Sequence, residues 1–455
     1  MEALPELATK RPMPQSTVMS AVHLITLDPA HFHAALVQKE MYAGVSPLVK
    51  VYAPLGLDLT EHLTRVARFN QRAENPTTWE LDVHAGPGSL DRMLRDEAPG
   101  NVVVLSGRNR SKIERIERSV AHGFHVLADK PWILRSADLP RLEASLNMAD
   151  EKGVIAYDIM TERYEVTSML HQELVNTPAV FGTLLPGDPA NPAIYMDSMH
   201  RLLKTVAGVP MLRPLEFFDI EEQGEALSDV GTHLVDLAQW IAFPGLAIDY
   251  RTDIALLDAR RWPTTLNPEQ WSRVTGGAPV PASLAGYLRD GNFDYFGNNF
   301  VSYTLRGIHV QMDVRWDLEG VSDTHKAIFR GSQASIEVRQ GAAENYRPEV
   351  YVVPNSPALY PAVRAALAAK LAELQPTFDG VGLEDRGSEL LLTIPDHHRV
   401  GHEAHFAEVT RQFFAYLDQP QALPAWENPN MLAKYYVCTK GVELAVAKTG
   451  SPHAV

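Results

Sequence analysis

The chain has 455 residues and carries 56 acidic against 41 basic side chains, a formal net charge of −15 at pH 7. A surface this acidic argues against nucleic acid or an anionic membrane as the main partner, and no apolar run approaches the roughly 20 residues that span a bilayer. The single cysteine, Cys438, excludes an internal disulfide and a cysteine-rich metal site. We therefore expect a cytoplasmic protein without nucleic-acid or membrane partners.

The first third of the chain alternates buried strands with amphipathic helices. Strands are predicted at 21–28, 48–54, 101–107, 125–131 and 154–160, and helices at 31–44, 59–73, 110–123 and 139–153. This alternation is typical of a parallel, doubly wound α/β sheet. We predict that residues 15–158 form a Rossmann domain of the nucleotide-binding type.

The sequence of residues 159–455 predicts an α+β domain on an open antiparallel sheet. Helices are predicted at 228–243, 361–374, 402–418 and 430–448, and strands within 298–320, 326–340 and 389–395. The segment 257–285 is rich in Pro, Gly and Thr, which indicates a long surface loop. Such a loop would be either a binding loop or a disordered insertion.

The stretch HVLADKP places Asp129, Lys130 and Pro131 directly after a short buried strand. Lysine is rarely buried without a partner. Either Lys130 points into solvent from a turn, or it faces a ligand at the carboxyl end of a parallel strand.

The first strand–helix turn contains Pro29, Ala30, His31 and Phe32 and has no glycine. A dinucleotide fold usually has glycines here, because they let the backbone approach a pyrophosphate. Free amides at the start of the helix could still hold phosphate. The alternative is an ordinary turn with Asp28 as the helix N-cap.

A helix starting near Ser228 places four side chains on one face, at spacings of four, three and four residues: Asp229, His233, Asp236 and Trp240. A carboxylate one turn from a histidine can fix its tautomer, as a general base requires. The alternative is a solvated polar face.

Two further groups of side chains stand out. The first is a histidine cluster whose spacing matches no trusted zinc motif: His397, His398, His402 and His405. We predict no metal site there, although the helix start could contact a substrate. The second is a group of cations that suits an anionic substituent: His200, Arg201, Lys204 and Arg213.

Together these segments resemble the glucose–fructose oxidoreductase / inositol dehydrogenase (Gfo/Idh/MocA) family. Asp129-Lys130-Pro131 is similar to the family's E-K-P motif, and Asp229, Gly231, His233 and Asp236 match its D-x-G-x-H-x-x-D. The opening DPAHFHAALVQ resembles a divergent subgroup with an oxidoreductase C-terminal domain. Lys112 stands where the family has a histidine.

The resemblance implies NAD as the cofactor, with NADP as an alternative. The implied cofactor-binding residues, besides the four of the first turn, are Asp58, Ser106, Gly107, Arg108, Asn109, Asp129 and Lys130. It further implies that Lys130 and His233 act on the substrate hydroxyl as hydride leaves, with Asp229 orienting His233 or binding a neighbouring hydroxyl. Substrate contacts are then expected from Arg163, His200, Lys204, Arg213, Asp229 and His233.

The implied substrate is a sugar, cyclitol or glycoside, and the implied assembly is a homo-oligomer. Some relatives oxidise C3 of a glycoside, eliminate the aglycone, add water and reduce the ketone again, and some of these act on a sulfonated sugar, sulfoquinovose. We therefore expect either a redox-neutral glycosidase or a simple dehydrogenase. A non-catalytic NAD or sugar sensor and a zinc-dependent hydrolase are the competing classes.

Overall fold

The computed structural model describes residues 22–206 and 209–449; residues 15–21 of the predicted first domain and 450–455 of the second lie outside this range. The first sheet has six parallel strands in the order β3-β2-β1-β4-β5-β6. Its strands are β1 (Leu24–Leu27), β2 (Leu48–Ala53), β3 (Glu80–Ala85), β4 (Val102–Leu105), β5 (His125–Ala128) and β6 (Ala156–Asp158). Its helices are α1 (His33–Val37), α2 (Leu57–Gln71), α3 (Ser89–Asp96), α4 (Asn109–Ala121) and α5 (Leu139–Lys152). The predicted doubly wound α/β sheet is confirmed.

Two local predictions for this domain were wrong or incomplete. The helix predicted over 31–44 is only the five-residue α1, because the chain turns at Gln38, whose carbonyl accepts a hydrogen bond from the Trp79 indole at 2.7 Å. Strand β3 and helix α3 were not predicted. β3 is an edge strand with a largely exposed, polar pattern, so it lacks the apolar run that marks the inner strands.

The second domain is built on a ten-stranded sheet. Its longer strands are β7 (Ile194–Leu203), β10 (Ile254–Leu266), β12 (Asn292–Leu305), β13 (Ile308–Glu319), β14 (Thr324–Arg330), β15 (Ala334–Gln340) and β16 (Glu349–Pro354). Shorter strands are β8 (Thr205–Val206), β9 (Val209–Pro210), β11 (Leu288–Arg289), β17 (Gly382–Asp385) and β18 (Leu390–Thr393); of these, β8 and β9 form a separate two-stranded sheet. The helices are α6 (Val166–Val175), α7 (Pro178–Phe181), α8 (Ala226–Asp229), α9 (Gly231–Ala242), α10 (Pro268–Thr275), α11 (Tyr360–Leu374), α12 (His402–Asp418) and α13 (Glu427–Thr449).

The large sheet is mixed rather than purely antiparallel, because β7 pairs parallel with β13 while its other neighbour, β14, is antiparallel. The prediction of a long loop over 257–285 was also wrong. This segment contains most of β10, an edge strand, followed by α10, which ends at Gly276. Pro263 interrupts the apolar pattern, but it lies at a register shift between Trp262 and Thr264, where the ladder tolerates a missing N–H.

The C-terminal helices return to the first domain and cover its sheet. Phe406 and Phe413 of α12 belong to the same buried core as Leu24 of β1, and Tyr435 of α13 joins the core on the other face. Helix α13 also packs on β10 of the second domain and on α5 of the first, so it links the two domains. No helix in the described ranges is long and apolar enough to cross a membrane.

Candidate active site

The site lies where the strand order reverses, between β1 and β4, which is where doubly wound sheets bind ligands. The loops after these two strands touch. The amide of Ala30 donates to the carbonyl of Ser106 at 3.0 Å, and Ser106 Oγ donates to the carbonyl of His31 at 3.0 Å. Gly107 has φ +75°, and a Cβ there would lie 2.9 Å from the Ala30 Cβ. Glycine is therefore required in the second loop, although the first has none.

The predicted phosphate-binding turn is only partly available to a ligand. Pro29 has no N–H, and the Ala30 amide is already bonded to Ser106, so these two positions cannot supply amides as expected. The amides of His31, Phe32 and His33 open the first turn of α1, where N–H groups have no intrahelical acceptor. Any phosphate contact from this turn is therefore expected from the helix amides rather than from Pro29 and Ala30.

The Asp129 carboxylate is the centre of the hydrogen-bond network at this edge of the sheet. Its Oδ1 accepts from Lys112 Nζ at 2.5 Å and from the Gly107 amide at 3.2 Å. Its Oδ2 lies 3.0 Å from Ser106 Oγ and 3.0 Å from His33 Nδ1. Asp129 thus links α1, the loop after β4, and α4.

Charge neutralisation explains how this carboxylate stays ionised while buried. Burial alone would raise the pKa of Asp129, but Lys112 and the hydrogen bonds from His31 and His33 outweigh burial and hold the pKa well below its usual range. Burial lowers the pKa of Lys112, and Asp129 opposes that shift. Burial, together with neighbouring His31, lowers the pKa of His33, so the His33 ring is neutral.

Lys130 and Asp229 form an ion pair that joins the two domains. Burial would raise the pKa of Asp229, but the charge and hydrogen bond of Lys130 outweigh burial, and the pKa lies below its usual value. The predicted arrangement of Asp229 with His233 is not seen. The Asp229 carboxylate turns toward Lys130, and the structure records no hydrogen bond from any described residue to His233 Nδ1, which is buried. Burial and the Lys130 charge lower the pKa of His233 to about 3, so the ring is neutral near pH 7.

Glu162, which follows β6, is the carboxylate whose charge acts most on His233. Its Oε1 lies 3.2 Å from His402 Nδ1, at the start of α12. Burial would raise the pKa of Glu162, but a hydrogen bond from His402 and the nearby histidines lower it to about 2. The His402 side chain is 44% exposed, so this pair connects the buried His233 region with solvent.

Arg108 and Asp58 form an ion pair at the outer end of the site, beyond β2. A Rossmann acid usually contacts the adenosine ribose from the end of β2, and Asp58 lies a few residues later, in the first turn of α2. Burial raises the pKa of Asp58 and the Arg108 charge opposes this. Asn109 points away from the crevice, since its side-chain amide donates to the carbonyl of Gln223 at 3.0 Å.

The four predicted substrate cations fall into different environments. Arg163 is enclosed, because it bonds both Asp236 oxygens at 2.7 Å and Glu427 at 2.8 Å. We therefore do not retain it as a substrate contact. Lys204 Nζ lies 2.7 Å from Asp323 Oδ2, and His200 Nδ1 lies 3.4 Å from the same oxygen.

Arg213 differs from the other three cations. No salt bridge to it is recorded anywhere in the described ranges, and its guanidinium stacks on Phe217 and Trp316, with centroid distances of 5.1 and 5.0 Å. Its charge is near enough to interact with that of Asp229, the partner of Lys130.

The histidine cluster divides in two. His402 belongs to the site, as described above, and His405 Nε2 lies 3.7 Å from Glu165. His397 and His398 lie instead with Asp379, near enough to one another to hold a cation. His31, His33 and Asp129 form a second such group, but there Lys112 already neutralises the carboxylate. The absence of a metal remains a prediction.

Comparison with known proteins gives the family. Residues 170–446 match the family described as "Putative oxidoreductase C terminal domain". The chain belongs to this oxidoreductase family. No curated protein matches it. A "putative oxidoreductase" crystal structure from Parabacteroides merdae is 43% identical to this family member, with a TM-score of 0.90, and the match covers 94% of this chain and 98% of that one.

Two more distant structures share the fold. GenD2 from gentamicin A biosynthesis, crystallised with NAD, has a TM-score of 0.56 at 15% identity, covering 96% of this chain and 97% of its own. A 3-ketoreductase from Actinomadura kijaniata, in complex with TDP-benzene and NADP, has a TM-score of 0.53 at 14% identity, covering 92% and 96%. The family match confirms the predicted oxidoreductase C-terminal domain.

Sequence reasoning missed three residues of the site. His33 directly follows the four turn residues that were named, and Lys112 was noted only as a departure from the family pattern. Glu162 follows the carboxyl end of β6, and side chains in that position belong to the ligand-facing edge of a parallel sheet. That positional signal was present in the sequence.

Proposed function

We propose that this protein is an NAD-dependent oxidoreductase that removes hydride from a ring carbinol of a sugar or glycoside. The observation that carries the proposal is the partly buried Lys130–Asp229 ion pair, with His233 four residues after Asp229, where Lys130 follows the carboxyl end of β5. These side chains meet where the two domains face each other. A small polar substrate could reach all three groups there.

The chain's residues fit a dinucleotide along this edge. The amides of His31, Phe32 and His33 suit a pyrophosphate, and the close approach at Gly107 leaves the loop backbone next to it. Asp58 and Arg108 suit the adenosine ribose. The carboxylate would bind the ribose 2′-hydroxyl of NAD, whereas the guanidinium would suit the 2′-phosphate of NADP, the alternative cofactor. When bound, the nicotinamide would supply the hydride acceptor.

The remaining roles belong to side chains. Lys130 would donate a hydrogen bond to the reacting hydroxyl and stabilise the negative charge that develops on its oxygen. His233 Nδ1 has no hydrogen-bond partner among the described residues, so it would be the acceptor of the hydroxyl proton. Asp229 would hold Lys130 in place and bind a neighbouring hydroxyl. Glu162 and His402 would carry the proton toward solvent.

We further propose that the reacting carbon is C3 and that glycosides are cleaved without net redox change. Oxidation at C3 makes the C2 hydrogen acidic. Loss of that proton expels the aglycone, water adds to the resulting double bond, and return of the hydride restores the alcohol. A sulfonated sugar such as sulfoquinovose is one candidate substrate. A sugar or cyclitol dehydrogenase that releases NADH is the second candidate.

A panel of glycosides and free sugars, followed both for NADH absorbance and for released aglycone, tests the proposal. Aglycone release that needs only trace NAD supports the glycosidase, and stoichiometric NADH supports the dehydrogenase. Lys130→Met is the inactive control. It keeps the side-chain length without the charge, so it should release neither aglycone nor NADH at the wild-type rate. Cofactor binding without turnover of any substrate would instead indicate a sensor.

A further inference from the structure

Arg213 lies on the segment before Phe217 and has an unusual environment for a cation. It is only partly exposed, its Nε is buried without a hydrogen-bond partner, and Nη2 donates to the carbonyl of Arg201 at 3.1 Å. Burial lowers its pKa, although Tyr295, Asp323 and Asp229 oppose that shift. A guanidinium removed from water normally has a carboxylate partner.

The neighbouring acids cannot serve as that partner, because both are already neutralised. Asp229 is paired with Lys130, and Asp323 is paired with Lys204. Arg213 therefore carries a positive charge with no salt-bridge partner among the described residues, and its flat face is held against Trp316. Stacking of this kind orients the guanidinium edge so that two of its N–H groups can meet one oxyanion.

Arg213 lies near enough to the proposed reaction centre for its charge to interact with Asp229. Trp316 of β13 contacts Arg213 on one side and the His200 ring on the other, with ring centroids 4.9 Å apart. Both Arg213 and His200 act electrostatically on Asp229. Trp316 is itself buried, so it fixes the position of the guanidinium and leaves the other edge of Arg213 for a ligand.

We propose that Arg213 binds a monoanionic oxygen group, a carboxylate or a sulfonate, on the sugar substrate. The single charge of Arg213 matches a monoanion, whereas a phosphate dianion would call for a second unpaired cation. This inference rests on the proposed function and narrows its substrate class to acidic sugars.

The test compares nitrophenyl glycosides that differ only in the substituent on C5. The four substituents are hydroxymethyl, carboxylate, sulfomethyl and phosphorylated hydroxymethyl. We expect kcat/KM of the wild-type protein to favour the carboxylate or the sulfonate over the neutral sugar by about tenfold or more. Arg213→Gln should lower kcat/KM for that anionic substrate by about 10- to 100-fold through KM, the usual scale for a charge-assisted hydrogen bond. The neutral glycoside should change by less than about threefold.

Arg260→Gln is the matched control, because Arg260 also stacks on an aromatic ring, Phe300 at 4.1 Å, but is 63% exposed and close to Asp258. This control should leave both substrates unaffected. Arg213→Lys should retain part of the anion preference, since the positive charge remains but the paired N–H donors of the guanidinium are lost. An equal loss on neutral and anionic substrates would assign Arg213 a structural role and overturn the inference. A preference for the neutral or the phosphorylated sugar would overturn it too.

Calorimetric titration of the same sugars into the protein with NAD separates this inference from the proposed function. If no glycoside turns over but the carboxylate or sulfonate sugar binds, and binding weakens at least tenfold in Arg213→Gln, the proposed function fails and the anion site stands. If glycosides turn over without any anion preference, the proposed function stands and the anion site fails.

Discussion

The Asp129–Lys112 pair gives the sharpest prediction about the architecture of the site. Lys112 is fully buried, and the Asp129 carboxylate is the only acidic group that bonds it in the described ranges. In Asp129→Asn the shape is kept but the Lys112 charge loses its counter-charge. Breaking one side of a buried ion pair costs about 3–5 kcal/mol of unfolding free energy. The Tm should fall by about 10 °C, given roughly 2–4 °C per kcal/mol for a unit of this size.

The assay is thermal unfolding of the wild type, Asp129→Asn, Lys112→Met and the double variant. The double variant removes both charges, so it should be more stable than either single variant by about 2 kcal/mol or more. Asp96→Asn is the matched control, because its pair with Arg95 is exposed and should contribute less than about 1 kcal/mol. A Tm for Asp129→Asn within 2 °C of the wild type, or a double variant no better than the singles, would refute this account of the network.

Three further predictions concern single side chains. Lys130→Met and His233→Asn should each lower kcat by about a hundredfold or more with NAD affinity largely kept, measured by steady-state kinetics and cofactor titration. Gly107→Val should weaken NAD binding at least about tenfold, because a Cβ there meets Ala30. Burial raises the pKa of Glu165 to about 7, so its ionisation costs stability as pH rises from its unfolded pKa near 4.5 through 7. Glu165→Gln should therefore raise the free energy of unfolding at pH 8 by up to roughly 2–3 kcal/mol, seen as a higher Tm. At pH 5 the Tm should change little.

Each of these predictions has a clear contrary result. Near-normal kcat in either the Lys130 or the His233 variant would remove that residue from the mechanism. Unchanged NAD affinity in Gly107→Val would mean that the two loops do not jointly form the cofactor site. A Glu165→Gln variant that is equally stabilised at pH 5 and pH 8 would show that packing, not ionisation, is responsible.

The alternation of strands and helices in the first domain was predictable, because its inner strands are short apolar runs between clear helix patterns. Edge strands were harder. β3 alternates polar with apolar residues at an exposed sheet edge, and β10 contains Pro263, so neither has the continuous apolar run of an inner strand. The parallel pairing of β7 with β13 joins residues more than a hundred positions apart, and no local pattern specifies such a pairing.

The candidate site was predictable where spacing within one element, or similarity to a family motif, singled out a residue. Lys130, Asp229 and His233 were found in that way, and they do lie together. The network around Asp129 was not predictable, since it depends on side chains from α1, β4 and α4 meeting in space. The same holds for the cations: sequence placed Arg163 and Arg213 in one group, and only the structure shows that the first is paired and the second is not.

The central claim is that hydride leaves a sugar carbon beside Lys130 and His233. The most direct measurement is a single turnover of enzyme and NAD with a glycoside that carries deuterium at C3. We predict that the deuterium appears on the nicotinamide of NADH, with a primary isotope effect on its formation, and that Lys130→Met abolishes the transfer. Aglycone release with no labelled NADH at any time before the hydride returns to C3, or binding of the glycoside with no reduction of NAD at all, would contradict the claim.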